Sequence, residues 1–147
     1  MKRFLLSALL LLAALLPAFS QVKVSVDTPD LDVQVKRAFA QGDNVCIDLM
    51  VTNQGNYESI YFDFWATKIY DDEGNEYTGS ALSKDGPGTI GGKIDIPREI
   101  PRKVRIIVHN VDEYASAFTL AKFVYEVYNP RSAGSKILTI KNLPITK

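Results

Sequence analysis

Apolar residues recur along this chain mostly at every second position, the period of a strand whose two faces meet different surroundings. Val22, Val24 and Val26 alternate with polar neighbours; Val33 and Val35 repeat the pattern, and Phe39 continues their phase. Gln41-Gly42-Asp43-Asn44 reads as a tight turn, after which Val45, Ile47, Leu49 and Val51 alternate with Cys46, Asp48, Met50 and Thr52. Together these predict a hairpin whose second strand has one buried face. Asn53-Gln54-Gly55-Asn56 breaks the chain, and a long strand is predicted from Ser59 to Tyr70. Asp71 to Asn75 is a turn in which Gly74 takes positive φ without steric cost, and Glu76 to Thr78 begins the return.

Residues 79–93, GSALSKDGPGTIGGK, hold five glycines and a proline and read as one long loop. Ile94 and Ile96 make a short strand before Pro97; Pro97 and Pro101 mark an edge or an extended linker. Val104, Ile106 and Val108 alternate with Arg105, Ile107 and His109 in a further strand. Val111 to Ser116 has room for one helical turn. Phe118 to Val127 is a strand whose phase slips, because Phe118 and Leu120 share one face while Phe123, Tyr125 and Val127 share the other. A bulge around Lys122 accounts for the slip. Asn129 to Gly134 is a turn, and Lys136 to Lys141 is the last strand. About eight short strands with turn signals between them, and no long helical pattern, indicate an all-β fold: an antiparallel Ig-like sandwich, with a small closed barrel as the alternative.

The N-terminus departs from this pattern. Lys2 and Arg3 precede an apolar run from Phe4 to Leu16; Pro17 ends it and Ala18-Phe19-Ser20 follows with small residues. That is the layout of a secretory signal peptide, and the run is shorter than the ~20 residues of a membrane span. Residues 1–20 are therefore expected to be removed, leaving a single domain over 21–147 that is secreted, periplasmic or held at the cell surface, with no membrane span. The 17 basic residues less Lys2 and Arg3 leave 15 against 17 acidic ones, which argues against a nucleic-acid partner. Cys46 is the lone cysteine, so the domain has no internal disulfide, and Cys46 reads as a half-buried strand residue.

Val45 to Asn53 (VCIDLMVTN) running into a turn with Gly55, then Asp71 to Tyr77 (DDEGNEY), then Pro101 to Val108 (PRKVRIIV) form a sequence of features that resembles the bacterial immunoprotective-extracellular-protein-like sandwich domains. It also resembles small secreted sandwich proteins of the Bacteroidetes. The resemblance implies an exported Ig-like module at or near the cell surface; it brings no catalytic residue with it.

Several groups of residues are candidates for chemistry. Alternation puts Ile60, Phe62, Phe64 and Ala66 on the core face of the long strand, and Tyr61, Asp63, Trp65, Thr67 and Ile69 on the other. An exposed Trp65–Tyr61 pair would stack on sugar rings, with Asp63 and Thr67 offering hydrogen bonds; a buried or loop-covered Trp65 is the competing reading. Asp71, Asp72 and Asn75, with Glu73 and Glu76, are candidates for calcium, against a solvated turn. Paired carboxylates on that turn lack the burial that glycoside cleavage needs. His109 has no G-x-S-x-G elbow and no Cys or His partners for zinc, so it reads as a strand histidine. Arg98, Arg102, Lys103 and Arg105 make a basic stretch that reads as a polar edge. No cofactor motif is present. The expectation is a non-catalytic binding module for another envelope or extracellular protein, with a small carbohydrate-binding module as the alternative.

Overall fold

The computed structural model describes residues 21–84, 92–129 and 134–147. The signal-peptide reading of residues 1–20, half of the glycine-rich stretch and the middle of the 129–134 turn lie outside the described residues.

Ten strands are present among them: β1 Lys23–Val26, β2 Leu31–Gln41, β3 Asn44–Asn53, β4 Ser59–Asp71, β5 Glu76–Tyr77, β6 Leu82–Lys84, β7 Gly92–Asp95, β8 Arg102–Val108, β9 Ala117–Tyr128 and β10 Lys136–Thr146. The first sheet runs β5-β4-β9-β10, with β7 beside the first half of β4 and β1 beside the first half of β10. The second runs β2-β3-β8-β6. The two are packed as an antiparallel Ig-like sandwich. They are stitched along one side, where the end of β10 leaves β1 and pairs in parallel with β2 (Ile145 with Ala38, Thr146 with Phe39). On the other side β6 and β7 face each other without a ladder among the described residues. The fold thus stands between the predicted sandwich and the predicted barrel: stitched on one seam, and without a ladder among the described residues on the other.

The alternation seen in the sequence fills the space between the sheets. Ile47, Leu49, Val104 and Ile106 of the second sheet and Phe62, Phe123, Tyr125 and Ile140 of the first belong to one buried cluster. Phe62 lies at its aromatic centre, stacked with Phe64 and edge-on to Phe123, with ring centroids 6.3 Å apart in both pairs. At 0.8 kcal/mol or so per buried methylene, this cluster stabilises the domain in place of a disulfide. Cys46 is fully buried rather than half-buried, on the outer side of β3, with its thiol 3.3 Å from the Gln41 carbonyl.

Several expectations need correction, two of them at bulges. The register between β2 and β3 shifts between Val35 and Arg37, so Ala38 is the buried residue and Phe39 turns outward. There it lies under two guanidiniums, 4.4 Å from Arg37 and 5.2 Å from Arg105. In β9 the slip lies at Thr119, where Tyr70 and Asp71 of β4 pair with Leu120 and Phe118, not at Lys122. Residues 79–93 are not all loop: Gly79–Ala81 form a 3-10 turn and β6 follows directly. The 111–116 segment holds a turn fixed by the Asp112 side chain, which accepts the Tyr114 amide at 2.8 Å, and no helix.

Candidate functional site

The largest irregularity lies in the middle of β4. Asp63 pairs with Val124 and Lys68 with Lys122, so Phe64, Trp65, Ala66 and Thr67 all lie opposite Phe123. Such an expansion would strand several amides and carbonyls, and the sequence supplies the partners locally. Asp63 Oδ1 accepts the amides of Trp65 (3.0 Å) and Ala66 (3.3 Å). The Thr67 hydroxyl donates to the Asp63 carbonyl (2.8 Å) and accepts the Val124 amide (3.0 Å), standing in for the ladder bond the bulge removes. Asp at the first position and Thr at the fifth are thus the reason the arch holds its shape.

The arch inverts the alternation predicted beyond it. Ile60, Phe62 and Phe64 are buried as expected, but Ala66 is exposed, while Thr67 and Ile69 are fully buried. Trp65 sits at the crest and is 68% exposed. One side of its indole rests on Gly79: a Cβ built there would meet Cε3 and Cζ3 at 2.7 Å, and Gly79 has φ +55°. The ring is therefore propped from beneath and open above.

Trp65 is not isolated. Cross-strand pairing places Tyr61 between Lys93 and Glu126, Ser59 beside Tyr128, and Val124 between Asp63 and Ile137. Small Ser59 leaves a groove of about 520 Å³ between Tyr61 and Tyr128. The Lys93 ammonium lies 5.1 Å over the Tyr128 ring. Tyr61 (41%), Trp65, Tyr128 (56%) and Ile137 (42%) are four of the seven large hydrophobic side chains exposed among the described residues. All four lie on this outer side of the first sheet. Of the four residues read as a sugar platform, Trp65 and Tyr61 are exposed. Thr67 is buried, and Asp63 is half-buried with Oδ1 committed to the arch.

The acidic hairpin is organised around its own backbone. Asp71 is buried; Oδ1 accepts the amides of Glu73 and Asn75, and Oδ2 accepts Asn75 Nδ2 and the Tyr77 hydroxyl (2.7 Å). Asp72 accepts the amides of Ser116 and Ala117 and the Ser116 hydroxyl, docking the hairpin on the turn before β9. Burial works to raise both carboxyls, but these donors outweigh it and hold both below the usual range. Burial, helped by the Asp71 carboxylate, pushes Tyr77 up to about 12 against the opposing Asp112 amide. Calcium at Asp71, Asp72 and Asn75 would have to compete with these donors for the two carboxylates. Among the described residues no three His, Cys, Asp or Glu side chains are grouped to hold a metal.

Two arrangements escaped the sequence. Asn44, His109 and Ser83, from three strand ends, form a chain: Asn44 Oδ1 lies 3.1 Å from Nδ1, and Nε2 lies 2.7 Å from the Ser83 hydroxyl. With Nδ1 donating to the Asn44 oxygen, Nε2 accepts from Ser83. The chain links short β6 to the end of β8 and the start of β3. Ser83 lay in the stretch read as loop, which hid the pairing. The second arrangement is on the outer side of β3. Asp48 is 2% exposed, yet Arg105 (Nε to Oδ1, 2.6 Å) and Arg37 (Nε to Oδ2, 2.9 Å) clamp it. The Arg105 hydrogen bonds lead, over opposing burial, in holding the carboxyl down to about 2, with Arg37 adding to them.

No protein-family model and no curated protein matches the sequence. Among solved structures the chain is similar to the ASH/PapD-like domain of human CEP192 (PapD-like domain 7). The identity is 13%, the match covers 80% of this chain and 84% of that one, and the TM-score is 0.41. A likeness that distant assigns no residue of the site.

Proposed function

We propose that the protein is an exported, non-catalytic binding module, and that the outer side of its first sheet is the contact surface for another protein of the envelope or extracellular space. The observation that carries this is the concentration of exposed aromatic and aliphatic side chains on β4, β9 and β10, with Trp65 lifted by a bulge that satisfies its own hydrogen bonds. Bulges re-aim side chains, and a rigidly held Trp flanked by Tyr is the composition of a binding hot spot. The outer side of the second sheet differs, being dominated by the Arg37–Asp48–Arg105 clamp. Export rests on the N-terminal sequence alone. A protein partner is favoured over a glycan because Thr67, one of the polar groups read as fixing sugar hydroxyls, is buried in the arch, and Asp63 Oδ1 is taken up by the amides of Trp65 and Ala66.

The test is site-specific photo-crosslinking in cells, with the photoreactive residue at position 61, 128 or 137 and, as the opposite-face control, at 103. One discrete protein adduct from the first three positions and none from the fourth is expected, and Trp65→Ala should weaken it by about 2 kcal/mol or more. Equal labelling from both faces would sink the proposal. Polysaccharide-dependent retardation in an affinity gel, abolished by Trp65→Ala, would replace it with the carbohydrate reading.

A further inference from the structure

The basic stretch of the sequence becomes a different object in three dimensions. Arg102, Lys103 and Arg105 on β8 are joined by Lys84 from the neighbouring edge strand β6. With Ile94 of β7 and Val104 they line a groove of about 230 Å³ beside the seam between β6 and β7. Arg105 is committed to Asp48, with Nε and Nη2 at 2.6 and 3.1 Å from the two carboxylate oxygens. Lys84, Arg102 and Lys103 have no ion pair or side-chain hydrogen bond among the described residues. Among the described residues, no acidic side chain lines this groove. Gathering cations around one concavity costs mutual repulsion that an anion would remove.

We propose that this groove is a binding site for a tetrahedral oxyanion, a sulfate or phosphate monoester. Arg102 supplies the planar fork that matches two oxygens of such a group, and Lys84 and Lys103 supply point charges from either side. The partly buried side chain of Ile94 would meet the carbon side of the ester. A groove of this volume has room for one such group with a few waters. The site lies on β6, β7 and β8, off the aromatic side of the first sheet, and stands or falls independently of that surface.

The measurement is titration of the isotope-labelled protein, followed by amide chemical shifts, with inorganic sulfate, inorganic phosphate, methyl sulfate and methyl phosphate, each against sodium chloride at matched ionic strength. Saturable shifts confined to β6, β7 and β8 are expected, and the methyl esters should bind at least as well as the free ions if the Ile94 side chain contributes. Free ions binding while the esters do not would limit the site to inorganic anions and overturn the monoester assignment. Arg102→Gln should lower affinity roughly tenfold or more, the loss of a charge-assisted pair of hydrogen bonds. Lys84→Gln with Lys103→Gln should do the same, and both variants are surface changes that keep the fold. Lys136→Gln, on the other sheet, should leave the affinity unchanged. Shifts scattered over lysines and arginines on both sheets, matching those in chloride, would overturn the proposal. So would affinity unaltered in the Arg102 and Lys84/Lys103 variants, or binding seen with dextran sulfate but with none of the small anions.

Discussion

Replacing Asp48 by Asn tests how much of this domain's stability rests on one carboxylate. Asp48 is almost completely buried on the outer side of β3 and is covered by two arginines that remain partly in water, Arg37 more than Arg105. Its carboxyl is held at about 2 against an ordinary 3.8. By linkage that gap is worth about 2 kcal/mol of folding free energy when the group is ionised in both states. The sign follows from the depressed folded value: the contribution is complete well above pH 3.8 and is lost as pH falls through about 2. Roughly 1 kcal/mol should be gone at pH 3 and most of the rest by pH 2. Asp48→Asn removes the charge at every pH, so at neutral pH it should be less stable than the parent by about 2–3 kcal/mol. Urea unfolding followed by far-UV circular dichroism, on both proteins from pH 7 to pH 2, reads the difference. The decisive quantity is the gap between the two proteins, because Asp71 and Asp72 titrate alike in both and cancel. A gap that closes towards low pH supports the clamp. A gap that stays constant over the whole range, or one within ~0.5 kcal/mol at neutral pH, would refute the reasoning.

Two further substitutions probe the arch and its prop. Thr67→Val keeps the shape but leaves the Val124 amide without an acceptor inside the protein; it should cost about 1–3 kcal/mol in denaturant unfolding, with Thr67→Ser restoring most of the loss. If Thr67→Val unfolds like the parent, water rather than the hydroxyl serves that amide. Gly79→Ala places a methyl group where the Trp65 ring lies and forces φ +55° on a residue with a side chain, so about 1–2 kcal/mol should be lost and acrylamide should reach Trp65 more easily. Unchanged stability together with unchanged quenching would mean the ring does not rest on residue 79.

What could be read in the sequence was the regular part of the fold. Strict alternation in Val45 to Val51 and in Val104 to Val108 gave both strands and their inner faces, because β3 and β8 hold one register with each other throughout and the extra residue opposite β3 lies in β2. Gly42 gave the turn between β2 and β3, where it has φ +60°. The errors cluster where residues leave the ladder. A bulge shifts phase by a number of residues that alternation cannot supply, so Phe39, Ala66, Thr67 and the slip in β9 were misplaced by neighbouring irregularities. The opening of the arch was nonetheless written in Asp63 and Thr67, whose side chains were read as sugar ligands when their work is to hold the backbone. The convergence of Lys84 with Arg102 and Lys103, and of Ser83 with His109, joins residues 18 to 26 positions apart across a stretch that looked like loop. Only the pairing of β6 with β8 brings them together.

The stitched seam has a consequence for how the chain reaches this state. Ile145 and Ala38 pair across more than a hundred intervening residues, and nothing local brings them near each other. Closing so long a segment costs chain entropy before the contact returns anything, so the seam belongs among the last events, in the millisecond-to-second range typical of such topologies. Until then the first sheet offers the end of β10 as an unpaired border and the second offers β2. These borders are complementary to each other and, at high concentration, to those of a second molecule. Refolding yield should therefore fall with protein concentration through exchange of β10 between chains, a route to intertwined dimers that the finished sandwich, once sealed, no longer permits.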